Sequence, residues 1–139
     1  MGSSDLLFMA FDLLISFLTL CLFFVLSTGC FIFQIVDWIL GPAERLLTSQ
    51  TEIGDSHSSA DQLRKQHEQL ELKCTDTYGT YAELRHKSAE IIKEGGAKAS
   101  DIEAQKEFMD MVCRSYAARL ERRRNLIITS VRFHRLIEE

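Results

Sequence analysis

Two long helical patterns, residues 60–94 and 101–139, meet at Gly95 and Gly96. In the first pattern, the residues suited to packing recur every three or four positions, which is the spacing of one helix face. They are Leu63, His67, Leu70, Cys74, Thr77, Tyr81, Leu84, Ser88 and Ile91. Because glycine readily takes the positive φ that ends a helix, we predict that the chain reverses at the two glycines. An antiparallel pair of this length has an apolar face that a third helix or another chain must cover.

The segment before this pair is the candidate third helix. Its apolar residues are Phe31, Ile35, Trp38, Ile39, Leu46 and Leu47. Pro42 lacks the N–H that would bond the Trp38 carbonyl, so we predict a bend or local break there. Capping boxes at Ser59-x-x-Gln62 and Ser100-x-x-Glu103 predict where the next two helices begin. The predicted fold is all-α, an antiparallel three-helix bundle over residues 34–139 with its first loop at residues 48–59.

An uncharged stretch, residues 13–36, precedes the bundle. A bilayer core about 30 Å thick needs about 20 apolar helical residues, and residues 13–33 are long enough. We therefore predict a single membrane-spanning helix within residues 1–33. The chain has no Lys or Arg before Arg45, and the positive-inside rule then favours a cytosolic bundle. The alternatives are a cleaved signal peptide and a hydrophobic helix buried in an assembly.

Composition narrows the possible chemistry. The net charge of -4 and the near balance of arginines and acids over residues 101–139 favour no nucleic-acid partner. The four cysteines show no CxxC spacing, which predicts reduced thiols and no metal site. We find no catalytic set of residues and no glycine-rich phosphate loop, so we predict a protein that is not an enzyme and has no cofactor.

The periodicity also predicts which side chains form the bundle core. The predicted core residues are Trp38, Leu46, Leu63, His67, Leu70, Tyr81, Leu84, Ile91, Ile102, Val112, Tyr116, Leu126 and Phe133. Four arginines, Arg119, Arg122, Arg123 and Arg124, form a candidate interaction patch for anionic lipid or an acidic partner. A solvated face with intrahelical ion pairs is the alternative interpretation of these arginines.

From about Phe31 to its end, the chain resembles a spectrin repeat, the three-helix module of spectrin, dystrophin and several Rho exchange factors. The resemblance is carried by Asp37-Trp38-Ile39, by residues 62–71, by the Ile91-Ile92-Lys93-Glu94-Gly95 exit, and by Leu120 with residues 121–126. Trp38 followed by Gly41-Pro42, and the loop of residues 52–56, are similar to repeats beside Sec14-type domains or in Trio and kalirin exchange factors. Cys113 stands where the family usually has a tryptophan.

The resemblance implies a non-catalytic scaffold that presents helical faces to protein partners, with links to the cytoskeleton or to Rho-type signalling. Combined with the apolar segment, it predicts a membrane-associated interaction module. One alternative is a membrane-anchored coiled coil whose long helices pair between chains as a homo-oligomer. Another is a fragment of a larger multi-repeat signalling protein.

Overall fold

A computed structural model describes residues 3–138, and the chain over this range is helical with no β-strand. The elements are α1 (Ser3–Trp38), a π-helical turn (Ile39–Ala43), α2 (Glu44–Thr48), α3 (His57–Glu94) and α4 (Ala99–Glu138). Helices α3 and α4 form an antiparallel hairpin. The second half of α1, the π turn and α2 lie against that hairpin. The predicted all-α three-helix bundle is confirmed.

The hairpin reverses at the predicted glycines. Gly95 has φ 75° and Gly96 has φ 109°, and the Gly95 N–H donates to the Ile92 carbonyl at 3.2 Å. Side chains other than glycine rarely adopt these φ values, so the glycine pair ends α3 and directs the chain into α4.

Helix α3 begins earlier than predicted. Ser56, not Ser59, is its N-cap: the Ser56 hydroxyl accepts from the Ser59 N–H, and the Ser59 hydroxyl accepts from the Ser56 N–H, each at 3.1 Å. A serine therefore takes the reciprocal role for which the sequence pattern requires Glu or Gln. Helix α4 also begins earlier, at Ala99, so Ser100 lies inside the helix.

Pro42 widens the first helix instead of breaking it. The Glu44 N–H reaches back five residues to the Ile39 carbonyl, so one π-helical turn accommodates the proline. Helical structure continues to Thr48, and Ile39, Ala43 and Leu47 remain on the buried side. The predicted break at Pro42 is therefore wrong, and the predicted irregularity takes the form of a π turn.

The main core joins all three helices. Its α1–α2 side contains Ile32, Ile35, Val36, Ile39, Ala43 and Leu47, and it packs on Leu70, Cys74 and Leu84 of α3 and on Met109, Val112, Cys113, Tyr116 and Leu120 of α4. A smaller cluster of Ala60, Ile127 and Val131, with Leu63 against it, joins α3 to α4 beyond the end of α2.

Most predicted core residues lie inside the bundle. His67, Leu70, Leu84, Ile91, Ile102, Val112 and Tyr116 are buried, and Trp38, Leu63 and Tyr81 are half-buried against the core. Three do not fit the prediction: Leu46 is 37% exposed, and Leu126 and Phe133 are each 56% exposed. Leu47 takes the buried position next to Leu46. Leu126 and Phe133 are open because no helix covers this part of α4 after α2 ends.

Candidate interaction surfaces

The first half of α1 is an exposed apolar arm, residues 3–24, every one of which is exposed. Leu6, Phe8, Leu13 and Phe23 are each at least 70% exposed. At 1.5 Å per residue the arm extends about 33 Å. Within the described residues, one helix is long and apolar enough to cross a membrane, judged by length and composition. The arm contains Asp5 and Asp12 and no basic residue.

The arm becomes part of the bundle near Thr28. Thr28 is the first buried residue of α1, and its hydroxyl donates to the Phe24 carbonyl at 2.9 Å. A Cβ at Gly29 would lie 2.9 Å from the Gln105 Oε1 atom, so α1 and α4 approach closely here. The uncharged stretch of residues 13–36 overlaps the part of the chain, from about Phe31, that resembles a spectrin repeat. Ile32, Ile35 and Val36 lie in the bundle core.

An ion pair crosses from α2 to α4 just after the π turn. Arg119 donates to both carboxylate oxygens of Glu44, at 2.5 and 2.9 Å. The hydrogen bond from Arg119 is the main cause that lowers the pKa of the Glu44 carboxyl. Both side chains are one-third exposed, so this pair contributes less than about 1 kcal/mol to stability.

The four arginines of the candidate patch do not form one surface. Arg119 is occupied by Glu44, and Arg124 lies 3.4 Å from a carboxylate oxygen of Glu71. Arg123 is 8% exposed, and its guanidinium donates to the Glu52 carbonyl. Of these four arginines, Arg122 is the one that is exposed and has no carboxylate partner among residues 3–138. Arg119 and Arg123 are therefore directed toward α2 and the first loop, and the interaction patch stays a prediction.

Three consecutive carbonyls of the first loop accept hydrogen bonds from α4. Arg123 donates to Glu52, the Ser130 hydroxyl donates to Ile53 at 2.6 Å, and His134 Nε2 lies 3.3 Å from the Gly54 oxygen. Sequence reasoning located this loop and missed its attachment. The spacing of 123, 130 and 134 on one helix face was the available signal.

Other polar groups, partly or fully buried, link α3 to α4. The Tyr78 hydroxyl donates to the Cys113 carbonyl and the Tyr81 hydroxyl donates to Asp110, each at 2.7 Å. His67 Nε2 lies 2.9 Å from the Leu120 carbonyl oxygen. A carbonyl oxygen can only accept, so Nε2 carries the proton. These contacts fix the register of the hairpin.

The buried thiols are unsuited to nucleophilic chemistry. Burial raises the pKa of Cys74, and burial together with the Asp110 charge raises the pKa of Cys113 to about 11. Both groups are therefore protonated thiols near neutral pH. Among residues 3–138, no cluster of three or more His, Cys, Asp or Glu side chains is arranged to hold a metal ion.

The chain is similar to SEC14 domain and spectrin repeat-containing protein 1. It is 28% identical to that protein from Xenopus tropicalis over 109 residues, which is 78% of this chain. The proteins of the same name from Mus musculus and Homo sapiens show the same identity and coverage. The chain spans 16% of the length of these relatives. No protein-family model matches the chain, and no solved structure matches it either.

This similarity supports a spectrin-repeat-like region, in agreement with the residues that carried the resemblance in the sequence. The three-helix bundle described above is consistent with such a region.

Proposed function

We propose that this chain is a non-catalytic, membrane-associated interaction module in which a spectrin-repeat-like bundle presents helical faces to protein partners. The observation that carries the proposal is the division of one continuous helix into two environments. Residues 3–24 of α1 are exposed and apolar, whereas Ile32, Ile35 and Val36 of the same helix are bundle core. Similarity to spectrin-repeat-containing proteins supports the interaction role.

The proposed anchor inserts the exposed arm into a bilayer as a single span. The uncharged run begins at Leu13, so a span that starts there leaves Asp5 and Asp12 on the headgroup side, where a carboxylate can reach water. A helix that continues without a break from the arm into the bundle would hold the bundle directly against the membrane. The Gly95-Gly96 turn lines a groove with Phe17, Leu18 and Val25 of α1, so this end of the bundle would have to enter the headgroup region beside the span. The basic residues begin at Arg45, which supports a cytosolic bundle.

Alkaline carbonate extraction of cells expressing the full chain, with a tag after residue 139, tests the anchor. We expect the wild-type chain to remain in the membrane pellet. The double variant Leu14→Arg, Leu18→Arg should be released, because an arginine within an apolar span costs up to about 2.5 to 3.5 kcal/mol. Both positions are exposed, so bundle folding should not change.

The matched control is Leu72→Arg, Met111→Arg, which adds the same charge at exposed bundle positions. We expect this variant to remain in the pellet. Release of the wild-type chain would reject the anchor. Retention of the Leu14→Arg, Leu18→Arg variant would reject it too, because the arm would then not be the cause of sedimentation.

A link to cytoskeletal or Rho-type signalling is a further part of the proposal, supported by the resemblance to repeats of Rho exchange factors. Sedimentation of the full chain in detergent with actin filaments tests the first link. Its effect on nucleotide exchange by a Rho GTPase with an exchange factor tests the second. If the chain neither sediments with actin filaments nor changes the rate of nucleotide exchange, the link to cytoskeletal or Rho-type signalling is rejected.

A second candidate function is a tether formed by two or more copies through their long helices. The favouring observation is that Leu126, Phe133 and Ile137 of α4 are open to solvent. Light scattering of the full chain in detergent separates the two candidates: a constant monomer mass on dilution supports the single-chain bundle, whereas a mass that falls on dilution supports the tether.

A further inference from the structure

A single heptad-spaced seam on α4 faces α1, α2 and the loop that follows them. Its first five positions, at alternating steps of four and three, are Gln105, Met109, Val112, Tyr116 and Arg119. All five positions contact α1, the π turn or α2. Gln105 lies against Gly29, and Met109 and Val112 belong to the shared core. Tyr116 donates a hydrogen bond to the Ala43 carbonyl, and Arg119 donates to the Glu44 carboxylate.

The same seam continues for about 18 residues beyond the helix that fills it. Its next positions are Arg123, Leu126, Ser130, Phe133 and Ile137. Arg123 donates a hydrogen bond to the Glu52 carbonyl, and Ser130 donates one to the Ile53 carbonyl. The three apolar positions are left open: Leu126 and Phe133 are 56% exposed and Ile137 is 62% exposed. We call these three residues, with exposed Leu136 beside them, the distal seam.

The distal seam has exposed arginines on one side and the first loop, with Glu52 and Asp55, on the other. Arg122 and Arg132 are exposed beside it, and neither has a carboxylate within ion-pair distance among residues 3–138. Residues 121–138 contain five arginines against Glu121 and Glu138, and two of the five, Arg123 and Arg124, already contact Glu52 and Glu71. The Glu138 carboxylate accepts from the His57 N–H at 3.2 Å, so it is already engaged with the start of α3.

We propose that the distal seam binds an amphipathic, acidic helix of a partner protein. A helix is favoured because the open positions continue the 3-4 spacing by which α4 already binds the first helix. Acidic flanks are favoured because they would pair with Arg122 and Arg132. The span from Leu126 to Ile137 is about 16 Å, so about three helical turns would cover it. This inference goes beyond the proposed function and uses only the bundle, not the anchor.

Two other occupants fit the distal seam less well. A second copy of this chain, paired through the same surface, would bring two arginine-rich segments together, and like charges at an interface are costly. A bilayer that holds the arm would lie at the opposite end of the bundle, because Phe133 is roughly 50 Å along α4 from its start. The experiment below distinguishes both of these occupants from a partner helix.

The test is a selection from a displayed library of helical peptides by the full chain in nonionic detergent. Every peptide has leucines at heptad a and d positions, and each flanking position is Glu or Lys at random. We expect enrichment of Glu at the flanks and a loss of binding of about tenfold or more with Leu126→Ser, Phe133→Ser. Leu72→Ser, at a 63% exposed position on α3, is the matched control and should bind as the wild type does.

Several results would overturn the proposal: no enrichment, enrichment of Lys, or equal binding by the Leu126→Ser, Phe133→Ser variant. A dimeric wild type that becomes monomeric with those two substitutions would assign the surface to a second copy. Loss of binding to anionic vesicles on the same substitutions, with no peptide selected, would assign it to lipid. Carbonate extraction is independent of these positions, so failure here is distinguishable from failure of the anchor.

Discussion

Tyr116 of α4 donates a hydrogen bond of 2.8 Å to the carbonyl oxygen of Ala43, the last residue of the π turn. Ala43 is fully buried and Tyr116 is 2% exposed, so water does not replace this contact. The bond joins the irregular point of the first helix to the middle of α4. One residue further along, Glu44 pairs with Arg119 on the next turn of α4. The two contacts together fix where the first helix lies along the hairpin.

Tyr116→Phe should destabilise the bundle by about 1 to 2 kcal/mol, because it leaves the Ala43 carbonyl without this donor while conserving the packing of the ring. Urea unfolding followed by circular dichroism gives the value. Tyr81→Phe is the comparison: Tyr81 is only half-buried, so water can bond to Asp110 in its place and the loss should be smaller. Equal losses in the two variants would contradict a special role for the π turn contact.

Gly54→Ala and Gly79→Ala should change stability in opposite directions. Gly54 has φ 91°, and a Cβ there would lie 2.7 Å from the backbone of Ala60, so we expect a loss of more than about 1 kcal/mol. Gly79 lies inside α3, and a Cβ added there would have nothing within 4 Å, so alanine should gain about 0.5 to 1 kcal/mol. Melting temperatures of the two variants measure this, and a stabilised Gly54→Ala would refute the close approach of the loop to α3.

The helical architecture was predictable because periodicity and glycine chemistry act locally. The 3-4 spacing of residues 63–91 and the reversal at Gly95 and Gly96 require no knowledge of the rest of the chain. The start of α3 was missed because Ser59 satisfies a capping role that a sequence pattern assigns to Glu or Gln. Pro42 was expected to bend or locally break the first helix, and the structure instead has a π turn at Ile39–Ala43 with α-helix on both sides.

The surfaces were harder to predict because they depend on where a covering element ends. Leu126 and Phe133 have the spacing of core residues, and they would be core if the first helix continued past Thr48. Arg119 and Arg123 are charged residues of the kind that form surface patches. In the structure, Arg119 donates to the Glu44 carboxylate and Arg123 donates to the Glu52 carbonyl. A one-dimensional pattern assigns each residue to a helix face but does not say how far the neighbouring helix reaches.

The Glu44–Arg119 pair should make part of the bundle stability depend on pH. The pKa of Glu44 is lowered in the folded chain, so the unfolded chain binds a proton more readily. The stabilisation is therefore present above the ordinary Glu pKa and is lost as pH falls through the lower folded value. We expect Glu44→Gln to be less stable than the wild type near pH 7, by less than about 1 kcal/mol, with the difference shrinking below about pH 4. Unfolding of both proteins at the two pH values tests this, and a difference that grows in acid would contradict it.

The thiols should report folding of the bundle by their accessibility. Cys21 and Cys30 are exposed, whereas Cys74 and Cys113 are buried and have raised pKa values. In a Cys21→Ser, Cys30→Ser background, we expect an aromatic disulfide reagent near neutral pH to react with neither remaining thiol in the folded protein, and with both in urea. Because the reacting species is the thiolate, burial and the raised pKa act in the same direction. The rate of labelling at increasing urea should therefore follow the unfolding curve measured by circular dichroism. Rapid labelling of one thiol without denaturant would show that the α3–α4 contact around Cys74 and Cys113 opens locally while the rest of the bundle stays folded.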